Sequence, residues 1–104
     1  MKNEVIKQYT EKLDIENETK DPSLYQILID NDDFTPMEFV IGILEKFFSM
    51  NRQMATDVMF EAHLKGKAAC GIFTKDVAET KISQVVEHAK SHELPLNCSM
   101  EVAS

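Results

Sequence analysis

Ser23-Leu24-Tyr25-Gln26-Ile27-Leu28-Ile29-Asp30-Asn31-Asp32-Asp33-Phe34-Thr35-Pro36-Met37-Glu38 changes backbone type within one short stretch. Ser23 to Ile29 is rich in apolar and β-forming residues, and the polar run Asp30 to Asp33 closes it, which reads as a strand followed by a loop. Thr35 can cap a helix, Pro36 suits a first helical position and Glu38 completes a capping box, so a helix is expected to start here. Beyond it, Phe39, Val40, Ile43, Leu44, Phe47 and Phe48 recur at helical spacing in a stripe broad enough to pack on a sheet. That helix ends near Ser49.

Downstream, Asn51 can cap a second helix whose apolar face is Met54, Ala55, Val58, Met59 and Ala62, with Gly66 placed to stop it after Lys65. Lys67 to Phe73 alternates loosely as a strand. Thr74 and Asp76 open a third helix carrying Val77, Ile82, Val85, Val86 and Ala89. Pro95 separates that helix from a last short strand, Leu96 to Val102. The order strand, helix, helix, strand, helix, strand predicts an α+β fold, a three-stranded sheet covered on one side by three helices. Strand order cannot be read from this pattern. Upstream, residues 1–21 mix charges of both signs and end at Asp21-Pro22, a pair that disfavours helix continuation. They read as a flexible N-terminal extension, with at most a turn or two of amphipathic helix through Val5, Ile6, Tyr9 and Leu13, before a core domain at 22–104.

A chain of 104 residues suits one core. Eighteen acidic against eleven basic residues give a net charge of -7, which repels a phosphate backbone and argues against nucleic acid as a partner. No run is long enough to cross a bilayer, and the first residues lack the apolar segment of a secretory signal, so a soluble cytoplasmic protein is expected. Cys70 and Cys98 lack metal-ligand spacing and read as two buried thiols.

Asn31, Asp32 and Asp33 gather three acceptor side chains at a loop that opens onto a helix start, as turn and capping residues commonly do. His63 lies four residues after Met59 and shares its helix face. His88 and His92 are spaced i and i+4 at a helix end, where solvation is the expected state. Taken singly, none of these features assigns a function.

Read whole, Asn31-Asp32-Asp33-Phe34-Thr35-Pro36-Met37-Glu38-Phe39-Val40 closely resembles the signature segment of the ClpS family. Met59 and His63, Gly66-Lys67-Ala68, Phe73-Thr74, Val77-Ala78-Glu79-Thr80-Lys81 and Pro95-Leu96 match the family in order and spacing. The resemblance runs from about Pro22 to the C-terminus. It implies a non-enzymatic adaptor, without cofactor or metal, that binds N-degron substrates with a first residue of Phe, Tyr, Trp or Leu and hands them to the ClpA unfoldase of the ClpAP protease. By position, it implies that Asn31, Asp33 and His63 hold the α-amino group while Asp32 shapes their loop. Ile29, Thr35, Met37, Val40, Met59 and Leu96 would line the side-chain pocket, with Met37 as gatekeeper against β-branched ligands. Asp76, Glu79 and Lys81 would dock on the ClpA N-terminal domain, and the protein would act as a monomer. Two positions depart from the family pattern: Asp30 stands where an apolar residue is usual, and Phe34 replaces a common Tyr.

The chemistry fits that division of labour. An α-amino group is mostly cationic at neutral pH and enters a pocket only where acceptors take its protons. Two rival readings are a metal site built from Asp32, Asp33 and His63, and an interaction module like the C-terminal domain of the ribosomal stalk protein, which shares the antiparallel strand and helix pattern.

Overall fold

The computed structural model describes residues 23–103. The expected turn or two of helix between Val5 and Leu13 lies outside them. Six elements follow in the expected order: β1 (Leu24–Asp30), α1 (Met37–Phe48), α2 (Arg52–Lys65), β2 (Lys67–Thr74), α3 (Lys75–Ser91) and β3 (Cys98–Val102). The three strands form one antiparallel sheet in the order β2-β1-β3. The first strand in sequence is thus central, with both later strands folded back against it.

Register explains the burial. Ile29 lies opposite Ala68 on one side and Cys98 on the other, and all three are buried. Side chains alternate across a strand, so Ile27 joins Ile29 on the inner face, and Ile43, Leu44, Ala55, Met59, Ala78, Val85 and Ala89 complete one apolar core with them. The alanines let the helix backbones come close. Between Ile27 and Leu28 the register slips, because Ile27 faces Gly71 while Leu28 faces Ala69, leaving Cys70 as the extra residue of a bulge. Gly71 has φ of 156°, and a Cβ there would lie 2.9 Å from the Phe73 ring.

The expected start of the first helix is corrected. Met37, not Pro36, is the first helical residue, and Pro36 occupies the cap, its carbonyl accepting from Phe39 N at 3.0 Å and Val40 N at 3.2 Å. Thr35 does not cap, because it lies one residue before the cap position; its hydroxyl instead donates to the Asp32 carboxylate at 2.7 Å. The capping box is likewise absent, and Glu38 pairs with Arg52 at 2.6 Å. Asn51 caps α2 as expected, its side chain accepting from Met54 N at 2.8 Å, and Gly66 ends that helix at φ 93°. Thr74 occupies the cap of α3 without a side-chain bond.

Burial differs from the expected faces at a few points. Met54 and Val77 are exposed, whereas Ile41 and Ala78 are buried. Leu96 precedes β3 and is buried in the connection. The end of α1 is closed by Ser49 in the left-handed region, φ 55°, and by Lys81 of α3, whose ammonium donates to Phe47 O at 2.9 Å. That ammonium also lies over the rings of Phe73 and Phe48, 5.3 and 5.7 Å from their centroids, so one side chain ties α3 to α1 and β2.

Candidate functional site

The end of β1 is held from two sides: Asp30 N donates to Asn97 O at 3.0 Å, and Asn31 N donates to Gly66 O at 2.9 Å. The chain then turns through Asp32, whose carboxylate accepts from Phe34 N and Thr35 N, both at 2.8 Å, as well as from the Thr35 hydroxyl. A carboxylate with several donors on it fixes the backbone it spans. Asn31 and Asp33, on either side of this half-buried anchor, are exposed.

Beside that loop lies a cavity of about 290 Å³. Its wall contains all ten residues that the family resemblance singles out for the α-amino site and the side-chain pocket: Asn31, Asp32, Asp33 and His63, together with Ile29, Thr35, Met37, Val40, Met59 and Leu96. They come from β1, its following loop, α1, α2 and the segment before β3. Asp30, Pro36 and Ala62 complete the wall. Ala62 was legible as a candidate, since Met59, Ala62 and His63 share one helix face; Pro36 carried only the signal of a helix start.

The wall is chemically divided. Three carboxylates, an amide, a hydroxyl and an imidazole come from Asp30 to Thr35 and His63, the remainder is apolar, and no Lys or Arg contributes. With no Lys or Arg in the wall itself, the acceptor-rich part favours a cationic group, and the apolar part favours a hydrophobic one beside it. Asp30 Oδ1 is buried without a hydrogen-bond partner, with Lys67 Nζ 3.8 Å away. Asp32, Asp33 and His63 do not form a metal-binding set: among the described residues no group of three or more His, Cys, Asp or Glu has that geometry, and the Asp32 carboxylate is occupied by its own loop.

Asp76 and Lys81, expected to dock a partner, line a shallow depression at the start of α3 with Val77, Thr80 and Gln84. Glu79 lies outside that wall and pairs with Lys75 at 3.9 Å. Burial pushes the thiols of Cys70 and Cys98 up to about 12, so both are protonated core residues.

A three-stranded sheet backed by three helices, with one divided pocket at the end of its central strand, defines a small recognition module. Residues 20–99 match the family described as ATP-dependent Clp protease adaptor protein ClpS. This chain belongs to the ClpS family of Clp protease adaptors. It is 57% identical over 83 residues to the ATP-dependent Clp protease adapter protein ClpS of Aromatoleum aromaticum, covering 80% of this chain and 81% of that one. The corresponding protein of Vibrio cholerae is 55% identical over 84 residues, covering 81% of this chain and 79% of its own length. Among solved structures, Agrobacterium tumefaciens ClpS2 bound to L-phenylalaninamide superposes with a TM-score of 0.78 at 35% identity, over 80% of this chain and all of that one. Among the described residues, no helix is long and apolar enough to cross a membrane.

Proposed function

We propose that this adaptor reads the free amino terminus of proteins beginning with Phe, Tyr, Trp or Leu and delivers them to the ClpA unfoldase for degradation by ClpAP, thereby also biasing ClpA substrate choice. The observation that carries the reading is the make-up of the cavity wall, acceptors from Asp30 to Thr35 and His63 together with apolar residues of β1, α1, α2 and the Leu96 segment. In this reading Asn31, Asp33 and His63 take the protons of the α-ammonium group, on a loop shaped by Asp32. Each charge-assisted bond contributes about 1.5 to 3 kcal/mol, and an acetylated or internal residue lacks the cation that makes it. Ile29, Thr35, Met37, Val40, Met59 and Leu96 enclose the side chain, whose burial stabilises by about 1.5 to 3 kcal/mol for Leu or Phe. The ligand of the Agrobacterium relative supports this, since L-phenylalaninamide combines a free α-amino group with a large apolar side chain.

Docking on the ClpA N-terminal domain is assigned to the start of α3, through Asp76, Glu79 and Lys81, and residues 1–21 form the extension ahead of the adaptor core. The protein works as a cytoplasmic monomer.

Short peptides differing only in the first residue and in N-acetylation test the reading of the pocket. Phe, Tyr, Trp and Leu peptides should bind, Ile, Val and Ala peptides bind weakly, and acetylation abolish binding. Equal affinity for an acetylated peptide would refute the pocket. Delivery is tested separately by the affinity of an Asp76→Lys variant for the isolated ClpA N-terminal domain, which should fall.

A further inference from the structure

On the other side of α1 lies a second groove, lined in part by Phe39, Lys46, His88 and His92. We propose that His88 and His92 form a two-imidazole chelate for a divalent late transition-metal ion such as Zn²⁺, separate from the cavity beside the Asn31 loop. One turn of helix apart, the two rings face the same side of α3, with centroids 4.7 Å apart. Imidazole–metal bonds of about 2.0–2.1 Å put two coordinating ring centres roughly 5 Å from one another at a tetrahedral angle, so the observed spacing suits a shared ion.

Proton placement favours this use. His92 Nδ1 lies 3.0 Å from the His88 carbonyl oxygen. A carbonyl only accepts, so Nδ1 carries the hydrogen and the neutral ring keeps its lone pair on Nε2. The same backbone bond sets the ligating nitrogen in many histidine metal sites.

The site is also stiff. Phe39 stacks on His88 at 5.7 Å and 15°, and the edge of Phe47 meets the same ring at 5.6 Å. A ring already held in place loses little freedom when an ion binds. Both histidines sit at the C-terminal end of α3, the negative end of its dipole, which favours a cation. Lys46 lines the same groove and opposes the ion, although its ammonium lies over the Phe47 ring, 5.4 Å from the centroid; the Glu38 carboxylate is engaged by Arg52 and does not offset it. With no third His, Cys, Asp or Glu grouped there among the described residues, water completes the coordination.

Calorimetric titration of the full chain with Zn²⁺ near neutral pH, in a buffer that does not chelate, tests the proposal. One ion should bind. His88→Gln and His92→Gln should each lower the affinity by roughly 10²-fold, since each leaves one ligand where two acted together. His63→Gln should leave it unchanged, and the ring protons of His88 and His92 should shift during the titration by NMR. Thermal melts of both variants without metal check that the fold persists. Absence of Zn²⁺ binding, wild-type affinity in either variant, loss of binding in His63→Gln, or equally tight Mg²⁺ binding would overturn the proposal.

Discussion

Replacing Asp32 with Ala removes the one side chain on which the loop after β1 is built. Its carboxylate accepts from Phe34 N, Thr35 N and the Thr35 hydroxyl at 2.7 to 2.8 Å, and these contacts differ in what their loss costs. Phe34 N is exposed, so water replaces its acceptor at little cost. The Thr35 donors are half-buried and lose a partner that solvent reaches less well. By analogy with the loss of an aspartate cap, Asp32→Ala should destabilise the domain by about 1 to 2 kcal/mol. For a domain of this size, 1 kcal/mol corresponds to roughly 4–8 °C in Tm. Asp32→Asn should cost about half as much, since its amide oxygen still accepts and its NH₂ can donate to Thr35 Oγ1. Urea unfolding reads the effect as a lower midpoint with unchanged slope. If Asn31 and Asp33 hold an amino terminus, fluorescence anisotropy with a labelled Phe-initiated peptide should report at least about a tenfold loss for Asp32→Ala, because both acceptors lean on this anchor. Wild-type midpoint and wild-type affinity in Asp32→Ala would refute the reasoning.

Gly71→Ala should destabilise by about 1–3 kcal/mol, because the new Cβ meets the Phe73 ring at 2.9 Å; pairing it with Phe73→Leu should recover part of the loss in the same unfolding assay. Lys81→Met keeps the apolar stem but removes the ammonium from Phe47 O and the two rings, for an expected loss of about 1–2 kcal/mol that Lys81→Arg restores in part. Cys70 and Cys98 should resist a thiol reagent at pH 8 until the chain is unfolded, whereas fast labelling of the native protein would contradict their burial. Their folded values of about 12 exceed the ordinary 9.0, so the stability they contribute is complete below pH 9 and declines toward pH 12, as the unfolded thiols ionise and the folded ones do not. Denaturation across that range should show a fall of up to about 1.4 kcal/mol per pH unit for each thiol.

Much of the fold was legible because its signals are local. The β-forming run before Asp30, the helical spacing from Phe39 to Phe48, Asn51 as a cap and Gly66 as a stop each act within one or two turns of chain, and the elements fall where these signals put them. The start of α1 differs from the expected one because the turn before it captures Thr35. Thr35 carries the side chain of a cap, but the Asp32 carboxylate takes both its N–H and its hydroxyl into the preceding turn, and the helix starts one residue later, behind Pro36. Ala78 was overlooked as core because a methyl group contributes little to an apolar stripe, although the close approach of α3 to the sheet buries it fully. The candidate site was legible as a motif but not as a cavity: nothing in the spacing of Ile29, Met37, Met59 and Leu96 says that they share a wall.

Residue chemistry along the chain therefore accounts for element types and for the acceptor-rich loop, since each depends on neighbours within a few residues. Strand order and the gathering of β1, α1, α2 and the Leu96 segment around one cavity belong to the tertiary structure. Those contacts join residues far apart in sequence, and pairing β1 with both β2 and β3 depends on which faces bury together. The same holds for Lys81, which reads as a solvated charge on a helix but is captured by a carbonyl and two rings of other elements. His92 stays exposed, as its place at a helix end suggests, whereas His88 is half-buried because Phe39 and Phe47 of α1 pack against its ring.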